Sequence, residues 1–340
     1  MKSNDLKSIA RSLVAKGKGI LAADESFPTI EKRFKSLGIE STEEIRRSYR
    51  ELLLTTPGIE EFISGVILFD ETIHQKAGDG MAFVDLLRNK GIIPGIKVDK
   101  GTTAMPGFAG EKITAGLDGL RERLVEYRAR GAQFAKWRAV ITIGPDTPTR
   151  ANLVANSHHL ALYAALSQEE GLVPIVEPEV LMDGDNDIAR CEEVTETALT
   201  TVFSALREYR VALEGMLLKP NMVLPGKQSP KQASVNEVAE ATIRCLKKTV
   251  PAAVPGIVFL SGGQSPEQAT QHLNAMNQRG PHPWELSFSF GRALQDPALK
   301  TWKGSSSNIS AAQKAFYHRA MYNGEARYGR YTGRTEKEAA

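Results

Sequence analysis

The nine residues GMLLKPNMV (215–223) combine the pattern of a buried strand with a positive charge at its end. Residues 216–218 form a short continuous apolar run, which is typical of a strand that is buried on both faces. Lys219 ends this run and Pro220 stops the strand. A lysine is rarely buried without a partner, so two interpretations are open. Lys219 either extends its ammonium to water, or it is a nucleophile whose pKa is lowered by burial and nearby cations.

Seven further apolar runs recur along the chain, separated by segments with helical periodicity. The runs are ILAAD (20–24), GVILFDE (65–71), IIPGIKVDK (92–100), FAKWRAV (134–140), VPIVEPEV (173–180), GIVFLSGG (256–263) and ELSFSFGRAL (285–294). The helical segments are 4–16, 41–54, 114–130, 151–170, 187–210, 231–248 and one that begins at Ser265 with Pro266 and Gln268 behind it. Eight apolar strands that alternate with helices predict a parallel sheet, here a closed (β/α)8 TIM barrel.

The expected fold class is therefore α/β, with residues 1–340 forming a single (β/α)8 barrel domain. An N-terminal helix precedes the first strand, and a short C-terminal tail starts at about residue 331. The alternative is an open doubly wound sheet. A GxGxxG motif directly after a strand would favour that alternative, and the sequence has none.

Composition excludes several classes of function. The 340 residues carry 43 basic and 40 acidic side chains, and this balance gives no reason to expect nucleic acid or membrane partners. Cys191 and Cys245 are the only cysteines, so neither a disulfide framework nor a cysteine-based metal site is expected. The N-terminus has no apolar signal region, which predicts a cytoplasmic protein.

Polar side chains cluster at the carboxyl ends of the predicted strands, where barrel active sites lie. They are Asp24, Lys97, Lys136, Arg138, Glu177, Lys219, Ser261 and Arg292. Lys136 and Arg138 are two residues apart, as are Glu177 and Glu179, so each pair shares one face of its strand. Each pair alone is compatible with a structural ion pair, but eight polar strand ends together predict one site.

Three features of this site constrain its chemistry. Lysines from three strands would converge, and their repulsion would lower the pKa of one enough to leave a neutral amine. Carboxylates on the first and fifth strands can transfer protons. Ser261, Gly262 and Gly263 after strand seven, with Arg292 after strand eight, lie where many barrels bind phosphate.

A metal site or a cofactor is not expected. The six histidines all lie away from the predicted strand ends, namely His74, His158, His159, His272, His282 and His318. His158 and His159 are adjacent on a predicted helix, where neighbouring side chains diverge and do not chelate one ion.

Seven segments resemble class I fructose-1,6-bisphosphate aldolases, in the same order and at similar spacing from about Leu6 to Tyr331. They are GKGILAADES (17–26), GIKVDKG (95–101), FAKWR (134–138), VEPEV (176–180), LLKPNMV (217–223), FLSGGQS (259–265) and FSFGRALQ (288–295). The resemblance implies a (β/α)8 barrel, phosphorylated sugar substrates and a homotetramer.

The resemblance also implies roles for individual residues. Lys219 would form a Schiff base with the ketose carbonyl, Glu177 would be the main acid and base, and Asp24 and Lys136 would flank the reacting carbons. Glu179 would support them, paired with a lysine. The ketose C1 phosphate would be bound by Ser261, Gly262, Gly263, Ser289 and Arg292. The other phosphate would be bound by Ser26, Thr29, Lys32, Arg33, Lys97 and Arg138, with Arg46 a weaker candidate.

Three departures from the family pattern bear on substrate preference and on proton exchange. Phe27-Pro28 stands where animal enzymes have a small Thr-Gly pair, which makes the adjoining loop bulkier and stiffer. Phe290 replaces a tyrosine, which predicts the loss of a hydroxyl near the first phosphate. The animal enzymes end in a catalytic tyrosine, whereas this chain ends KEAA and its last tyrosine, Tyr331, is expected to be structural.

The main hypothesis is reversible cleavage of fructose 1,6-bisphosphate in glycolysis and gluconeogenesis. An alternative keeps the chemistry but changes the sugar to sedoheptulose 1,7-bisphosphate or fructose 1-phosphate. A different class is a non-catalytic scaffold of the same fold, which would have no physical need to keep several charges in the barrel mouth.

Overall fold

A closed barrel of eight parallel strands forms the centre of the protein. In the computed structural model, which describes residues 3–333, each barrel strand pairs with its neighbours and the last strand pairs with the first. The barrel strands are β1 (Gly19–Ala23), β2 (Ile63–Leu68), β3 (Ile93–Lys97), β6 (Phe134–Ile141), β7 (Val173–Val180), β8 (Leu217–Leu218), β9 (Gly256–Phe259) and β10 (Glu285–Phe290). The predicted TIM barrel is confirmed, and the register pair Ile20–Ser289 between β1 and β10 excludes an open sheet.

Helices follow the strands and form the outer layer. They are α1 (Ser3–Leu13), α2 (Phe27–Lys35), α3 (Glu43–Thr55), α4 (Asp70–Ile73), α5 (Phe83–Asn89), α6 (Leu120–Ala129), α7 (Arg150–Glu169), α8 (Ile188–Glu208), α9 (Val235–Thr249), α10 (Pro266–Asn277), α11 (Arg292–Trp302) and α12 (Ile309–Arg327). Short 3₁₀ turns lie at Ile59–Glu61, Leu213–Gly215 and Ser306–Asn308. Within the described residues, no helix has the length and apolar composition needed to span a membrane.

Several strands are shorter than the apolar runs suggest. The run at 65–71 ends as a strand at Leu68, because Asp70 already begins α4. Only Leu217 and Leu218 form β8, yet the backbone N–H of Lys219 still donates to the carbonyl of Val176 at 2.8 Å. The pairing with β7 therefore holds Lys219 at the rim although it lies outside the strand.

A hairpin between β3 and β6 was not predicted. Its strands β4 (Thr102–Ala104) and β5 (Lys112–Thr114) pair antiparallel to each other. The helix expected over 114–130 therefore begins only at Leu120. Since β4 is wholly exposed, it lacks the apolar alternation from which a strand can be recognised.

Apolar side chains close the lower end of the barrel. Phe134 is fully buried there, beside Leu13 of α1. A Cβ on Gly95 would lie 2.3 Å from the Phe134 ring, so only glycine allows this packing. Replacing Phe134 with alanine would lower the free energy of unfolding by about 3–5 kcal/mol. The barrel interior is thus accessible only from its upper rim, where the strands end.

Candidate active site

A cavity of about 1530 Å³ opens at the carboxyl ends of the barrel strands. Every site residue predicted from the sequence lines this cavity, except Gly263, which directly follows a lining residue, and the weaker candidate Arg46. The lining set is Asp24, Ser26, Thr29, Lys32, Arg33, Lys97, Lys136, Arg138, Glu177, Glu179, Lys219, Ser261, Gly262, Ser289 and Arg292. The closed barrel brings these residues together because parallel strands all end at the same rim.

Glu177 lies between two lysines at the centre of the cavity. Its Oε1 is 3.3 Å from Nζ of Lys219, and its Oε2 is 3.3 Å from Nζ of Lys136. On the other side, Lys136 Nζ is 2.7 Å from Oδ2 of Asp24. The two lysines and Glu177 are buried. The four residues therefore form a continuous chain of alternating charges from β1 to β8.

Asp99 completes this network and was not predicted. Its Oδ1 is 2.6 Å from Nζ of Lys97, and its Oδ2 is 4.0 Å from Nζ of Lys136. It also accepts a hydrogen bond from the backbone N–H of Arg138. Asp99 lies two residues after Lys97, so the same two-residue spacing that grouped Lys136 with Arg138 was available as a signal.

The expected repulsion among the lysines is wrong for Lys136. Burial acts to lower the pKa of Lys136, but the carboxylates of Asp24, Glu177 and Asp99 outweigh burial and raise it. Conversely, burial acts to raise the pKa of Asp24, but Lys136, Lys219 and Lys97 lower it to about 2. Carboxylates on the first and fifth strands were expected to transfer protons, but their negative charges also offset the repulsion between the lysines.

One oxygen of Glu177 is open to a further partner. Oε2 is buried and within ion-pair distance of Lys136, yet no group among residues 3–333 donates a hydrogen bond to it. A buried carboxylate oxygen without a donor is costly, and it faces a cavity that is large enough for a sugar. Glu177 can therefore accept a proton or a hydroxyl hydrogen bond from a bound molecule.

Glu179 pairs with an arginine and not, as expected, with a lysine. Its Oε2 accepts a short hydrogen bond from Nε of Arg138 on the adjacent strand. Lys136 lies two residues deeper in the barrel and is already surrounded by other carboxylates. Burial acts to lower the pKa of Arg138, but Glu179 raises it. Glu179 therefore fixes the Arg138 side chain at the rim.

The loops after β9 and β10 present several donors without partners. The Oγ of Ser289 is buried, and no group in the described part of the chain bonds to it. Arg292 is exposed, and none of the hydrogen bonds or ion pairs within residues 3–333 involves its guanidinium. The residues Ser261, Gly262 and Gly263 after β9 form a glycine loop. A Cβ built on Gly263 would lie 3.4 Å from an Arg292 nitrogen, so this glycine loop adjoins Arg292. Together they form a place that suits an anion.

The glycine loop is supported from below. Ser265 and Gln268 form the predicted capping box at the start of α10, with Pro266 in the first turn. The Gln264 side chain donates to the carbonyl of Ser261 at 2.9 Å and contacts Nδ1 of His272 at 2.6 Å. Burial lowers the pKa of His272 to about 4, so its imidazole is neutral at neutral pH. This support positions the loop.

The residues expected at the second phosphate divide into two sets. Ser26, Thr29, Lys32 and Arg33 lie after β1, whereas Lys97 and Arg138 lie on β3 and β6. No hydrogen bond or ion pair among residues 3–333 joins one set to the other. A Cβ on Gly291 would lie 3.8 Å from a nitrogen of Arg33. Arg33 therefore also lies close to the residues expected to bind the C1 phosphate.

Glu25 holds Arg33 in place and was not predicted as a site residue. It lies 2.6 Å from nitrogens of both Arg33 and Arg50 and accepts a hydrogen bond from Gln295 at 2.8 Å. Burial acts to raise the pKa of Glu25, but the two arginines lower it. Two guanidinium groups around one carboxylate leave a net positive charge at this edge of the cavity.

Phe27 caps Arg46 outside the cavity lining. Its ring packs edge-on against Phe69 at 5.1 Å, and the Arg46 guanidinium lies 4.7 Å from the ring centre. Arg46 also donates to both carboxylate oxygens of Glu71, at 2.8 and 2.5 Å. Arg46 is therefore held in an ion pair, while Pro28 and Phe69 line the cavity.

The structure shows where two of the residues at which the chain departs from the family pattern lie, Phe290 and Tyr331. Phe290 is fully buried in the layer between barrel and helices, with its ring 5.6 Å from Phe288. The prediction that it removes a hydroxyl near the phosphate is therefore wrong, because alternate strand residues face opposite sides and Ser289 faces the cavity. Tyr331 is buried, and its N–H donates to Asn274, which confirms a structural role. The KEAA end lies outside the described residues.

Cys191 and Cys245 are free, buried residues of α8 and α9. Within residues 3–333, no three histidine, cysteine, aspartate or glutamate side chains are grouped so that they could hold a metal ion.

Comparisons with known proteins match nearly the whole chain. Residues 5–340 match the family model described as Glycolytic: Fructose-bisphosphate aldolase class-I. A Xanthomonas campestris protein named probable fructose-bisphosphate aldolase class 1 is 59% identical over 334 residues, covering 98% of this chain and all of the relative. Fructose-bisphosphate aldolase 6, cytosolic, of Arabidopsis thaliana is 54% identical over 97% of this chain and 92% of the relative.

A solved structure has the same fold throughout. It is a ternary co-crystal structure of fructose-bisphosphate aldolase from Plasmodium falciparum in complex with TRAP and a small-molecule inhibitor. The TM-score is 0.96 at 51% identity, covering 97% of this chain and 96% of the other.

Proposed function

The chain belongs to the class-I fructose-bisphosphate aldolase family, and on that premise we propose that it reversibly cleaves fructose 1,6-bisphosphate through an imine on Lys219. The products are dihydroxyacetone phosphate and glyceraldehyde 3-phosphate. The observation that carries the proposal is the buried Lys219 amine at the cavity centre, 3.3 Å from a carboxylate of Glu177. The chain is accordingly an enzyme, a metal-independent carbon–carbon lyase, and the scaffold hypothesis is set aside.

Imine formation requires a neutral amine and a nearby proton carrier. Glu177 is placed to take the proton from the Lys219 ammonium, after which the amine attacks the ketose C2 carbonyl to form a carbinolamine. Glu177 then returns a proton to the C2 hydroxyl, which leaves as water. The resulting protonated imine carries a positive charge next to C3.

Cleavage uses that positive charge as an electron sink. Removal of the proton from the C4 hydroxyl breaks the C3–C4 bond, and the electron pair moves into the imine to give an enamine. Glyceraldehyde 3-phosphate leaves as the aldehyde. The open oxygen of Glu177 supports the role of base for the C4 hydroxyl. Protonation of the enamine at C3 and hydrolysis by one water release dihydroxyacetone phosphate and restore Lys219.

Asp24 and Lys136 orient the reacting carbons. Asp24 stays ionised because its pKa is lowered to about 2, so it accepts hydrogen bonds from substrate hydroxyls. Lys136 stays protonated because its pKa is raised, so it donates to them. The donors around Ser289 and Arg292 bind the C1 phosphate, and the positive edge around Arg33, with Ser26, Thr29 and Lys32, binds the other.

The proposed reaction places the enzyme in glycolysis and gluconeogenesis, where it acts on phosphorylated sugars. We further propose that it acts in the cytoplasm. In line with the family resemblance, we propose a homotetramer of one-domain subunits. Two Arabidopsis thaliana relatives are named cytosolic, which supports this location.

The test is mass spectrometry after borohydride reduction in the presence of dihydroxyacetone phosphate, with and without excess EDTA. We expect an adduct on Lys219 whose yield does not change with EDTA. The variant K219M should give no adduct, whereas K231M, which removes an exposed lysine, should give the same yield as the wild type. Absence of an adduct from the wild type, or loss of activity with EDTA, would overturn the proposal.

A further inference from the structure

The loop after β8 reaches the glycine loop after β9. Within it, the backbone N–H groups of Gly226, Lys227 and Gln228 each donate to a carbonyl of the loop after β7, all at 2.8 Å. Gly226 lies so close to that loop that a Cβ would approach the carbonyl oxygen of Gly184 to 2.2 Å. Since the backbone at Lys227 is fixed on both sides, the direction of its side chain is restricted.

The Lys227 ammonium lies beside Gly263. A Cβ built on Gly263 would lie 3.1 Å from Nζ of Lys227 and 3.4 Å from a guanidinium nitrogen of Arg292. Two cations, one from the loop after β8 and one from the first residue of α11, thus adjoin the same residue of the glycine loop. Like charges this close repel each other unless an anion is bound between them.

In the structure, Lys227 forms a weak, solvent-exposed ion pair with Asp183. Its Nζ is 3.0 Å from Oδ1 of Asp183, and the two side chains are 41% and 61% exposed. Exposed ion pairs of this kind contribute little and exchange readily. A phosphate at the glycine loop offers a doubly charged acceptor, which competes well with a single solvated carboxylate.

We propose that Lys227 is a further binding residue for the ketose C1 phosphate. Its ammonium leaves Asp183 and donates to a phosphate oxygen beside Gly263, the residue that Arg292 also adjoins. Lys227 and Arg292 together match the two negative charges of the phosphate, while the buried Ser289 hydroxyl supplies an uncharged donor. This inference rests on the proposed function, since it assigns one more residue to the same site.

The test compares three variants by two measurements. Calorimetry gives the dissociation constant of dihydroxyacetone phosphate, and borohydride trapping gives the yield of the Lys219 adduct at saturating ligand. The variants are K227Q, K231Q as a matched control with the same charge change at an exposed lysine nearby, and D183N, which releases Lys227.

We expect K227Q to weaken binding about tenfold, as for loss of one partly exposed charge-assisted hydrogen bond. K231Q should bind like the wild type, D183N should bind more tightly, and saturating adduct yields should be equal. A further readout is dihydroxyacetone, which lacks the phosphate and should react equally with K227Q and the wild type.

Other outcomes overturn the inference. One such outcome is that K227Q binds dihydroxyacetone phosphate like the wild type; another is that K227Q and D183N weaken this binding equally. In either case Lys227 only links the loop after β8 to the loop after β7 through its ion pair with Asp183. If the wild type binds dihydroxyacetone phosphate but gives no adduct, the proposed imine fails, while the comparison of K227Q with K231Q still decides the role of Lys227. If the wild type does not bind this ligand at all, both proposals are wrong.

Discussion

The centre of the cavity and the phosphate end differ in how their charges are compensated. At the centre, Lys136 pairs with Asp24 and Lys219 pairs with Glu177, and these contacts are present without any ligand. At the phosphate end, among residues 3–333, the Ser289 hydroxyl has no hydrogen-bond partner and the Arg292 guanidinium forms no hydrogen bond or ion pair. The charges at the centre are thus paired before substrate arrives, although one Glu177 oxygen still lacks a hydrogen-bond donor within this part of the chain. The phosphate end, in contrast, gains its partners only from the substrate.

Burial explains this difference. An ammonium out of contact with water must be paired, because an isolated buried charge costs several kcal/mol. Arg292 is exposed, so water can solvate its charge until an anion binds. We therefore expect changes at the centre to alter kcat or stability, and changes at the phosphate end to alter KM.

The largest effect is expected for E177Q. The amide cannot take the proton from Lys219 or transfer it to the leaving water, so kcat should fall by about 10²- to 10⁴-fold while KM stays nearly constant. Steady-state cleavage of fructose 1,6-bisphosphate measures both constants. E267Q, at an exposed glutamate of α10, is the matched control. A rise in KM at unchanged kcat would remove Glu177 from the chemistry.

The variant K136M should destabilise the protein. It leaves Asp24, Glu177 and Asp99 buried around an uncharged side chain, which should reduce the free energy of unfolding by about 3–5 kcal/mol. Urea denaturation followed by circular dichroism measures this loss, with K231M as the surface control. Equal stability of the two variants would mean that the central charges are not coupled.

The variant R292Q should act on binding. Loss of charged hydrogen bonds to the phosphate should raise KM for fructose 1,6-bisphosphate by about 10- to 100-fold, with kcat nearly unchanged. K300Q, at an exposed lysine of the same helix, should behave like the wild type. If kcat falls instead of KM rising, the phosphate end takes part in the chemistry and the comparison fails.

Asp24 should make stability depend on acid pH. Its pKa is about 2 in the folded state against an ordinary value of 3.8, so its contribution is fully present above pH 3.8. It is lost as pH falls through the folded pKa, and amounts to about 2 kcal/mol. The stability difference between wild type and D24N should therefore shrink between pH 4 and pH 2. A difference that stays constant over this range would contradict the ion pair with Lys136.

The smallest effect is expected at Phe27-Pro28, of which Pro28 lines the cavity and Phe27 does not. Replacing this pair by Thr-Gly removes the ring over Arg46 and frees the loop beside Ser26. We expect a severalfold change in the ratio of kcat/KM for fructose 1,6-bisphosphate to that for fructose 1-phosphate or sedoheptulose 1,7-bisphosphate, with little change in stability. An unchanged ratio for all three sugars would show that this loop does not select the substrate.

Apolar periodicity and strand-end polarity were enough to predict the barrel and the side chains at its rim. Both are local properties: eight buried strands need apolar runs, and a polar residue that ends such a run lies at the carboxyl edge. The hairpin of β4 and β5 could not be found in this way, because both strands have only three residues and β4 is wholly exposed. The side on which Phe290 lies, by contrast, follows from the alternation of strand residues, because Ser289 beside it faces the cavity.

The amino-acid pattern specifies the fold and the types of charged group in the cavity. Which of these charges pair depends on tertiary contacts, because the closure and register of the barrel set the distances between strands far apart in the chain. Thus Glu179 pairs with Arg138, and Asp99 is added to the centre. Lys227 of the loop after β8 and Arg292 at the start of α11 adjoin Gly263 for the same reason.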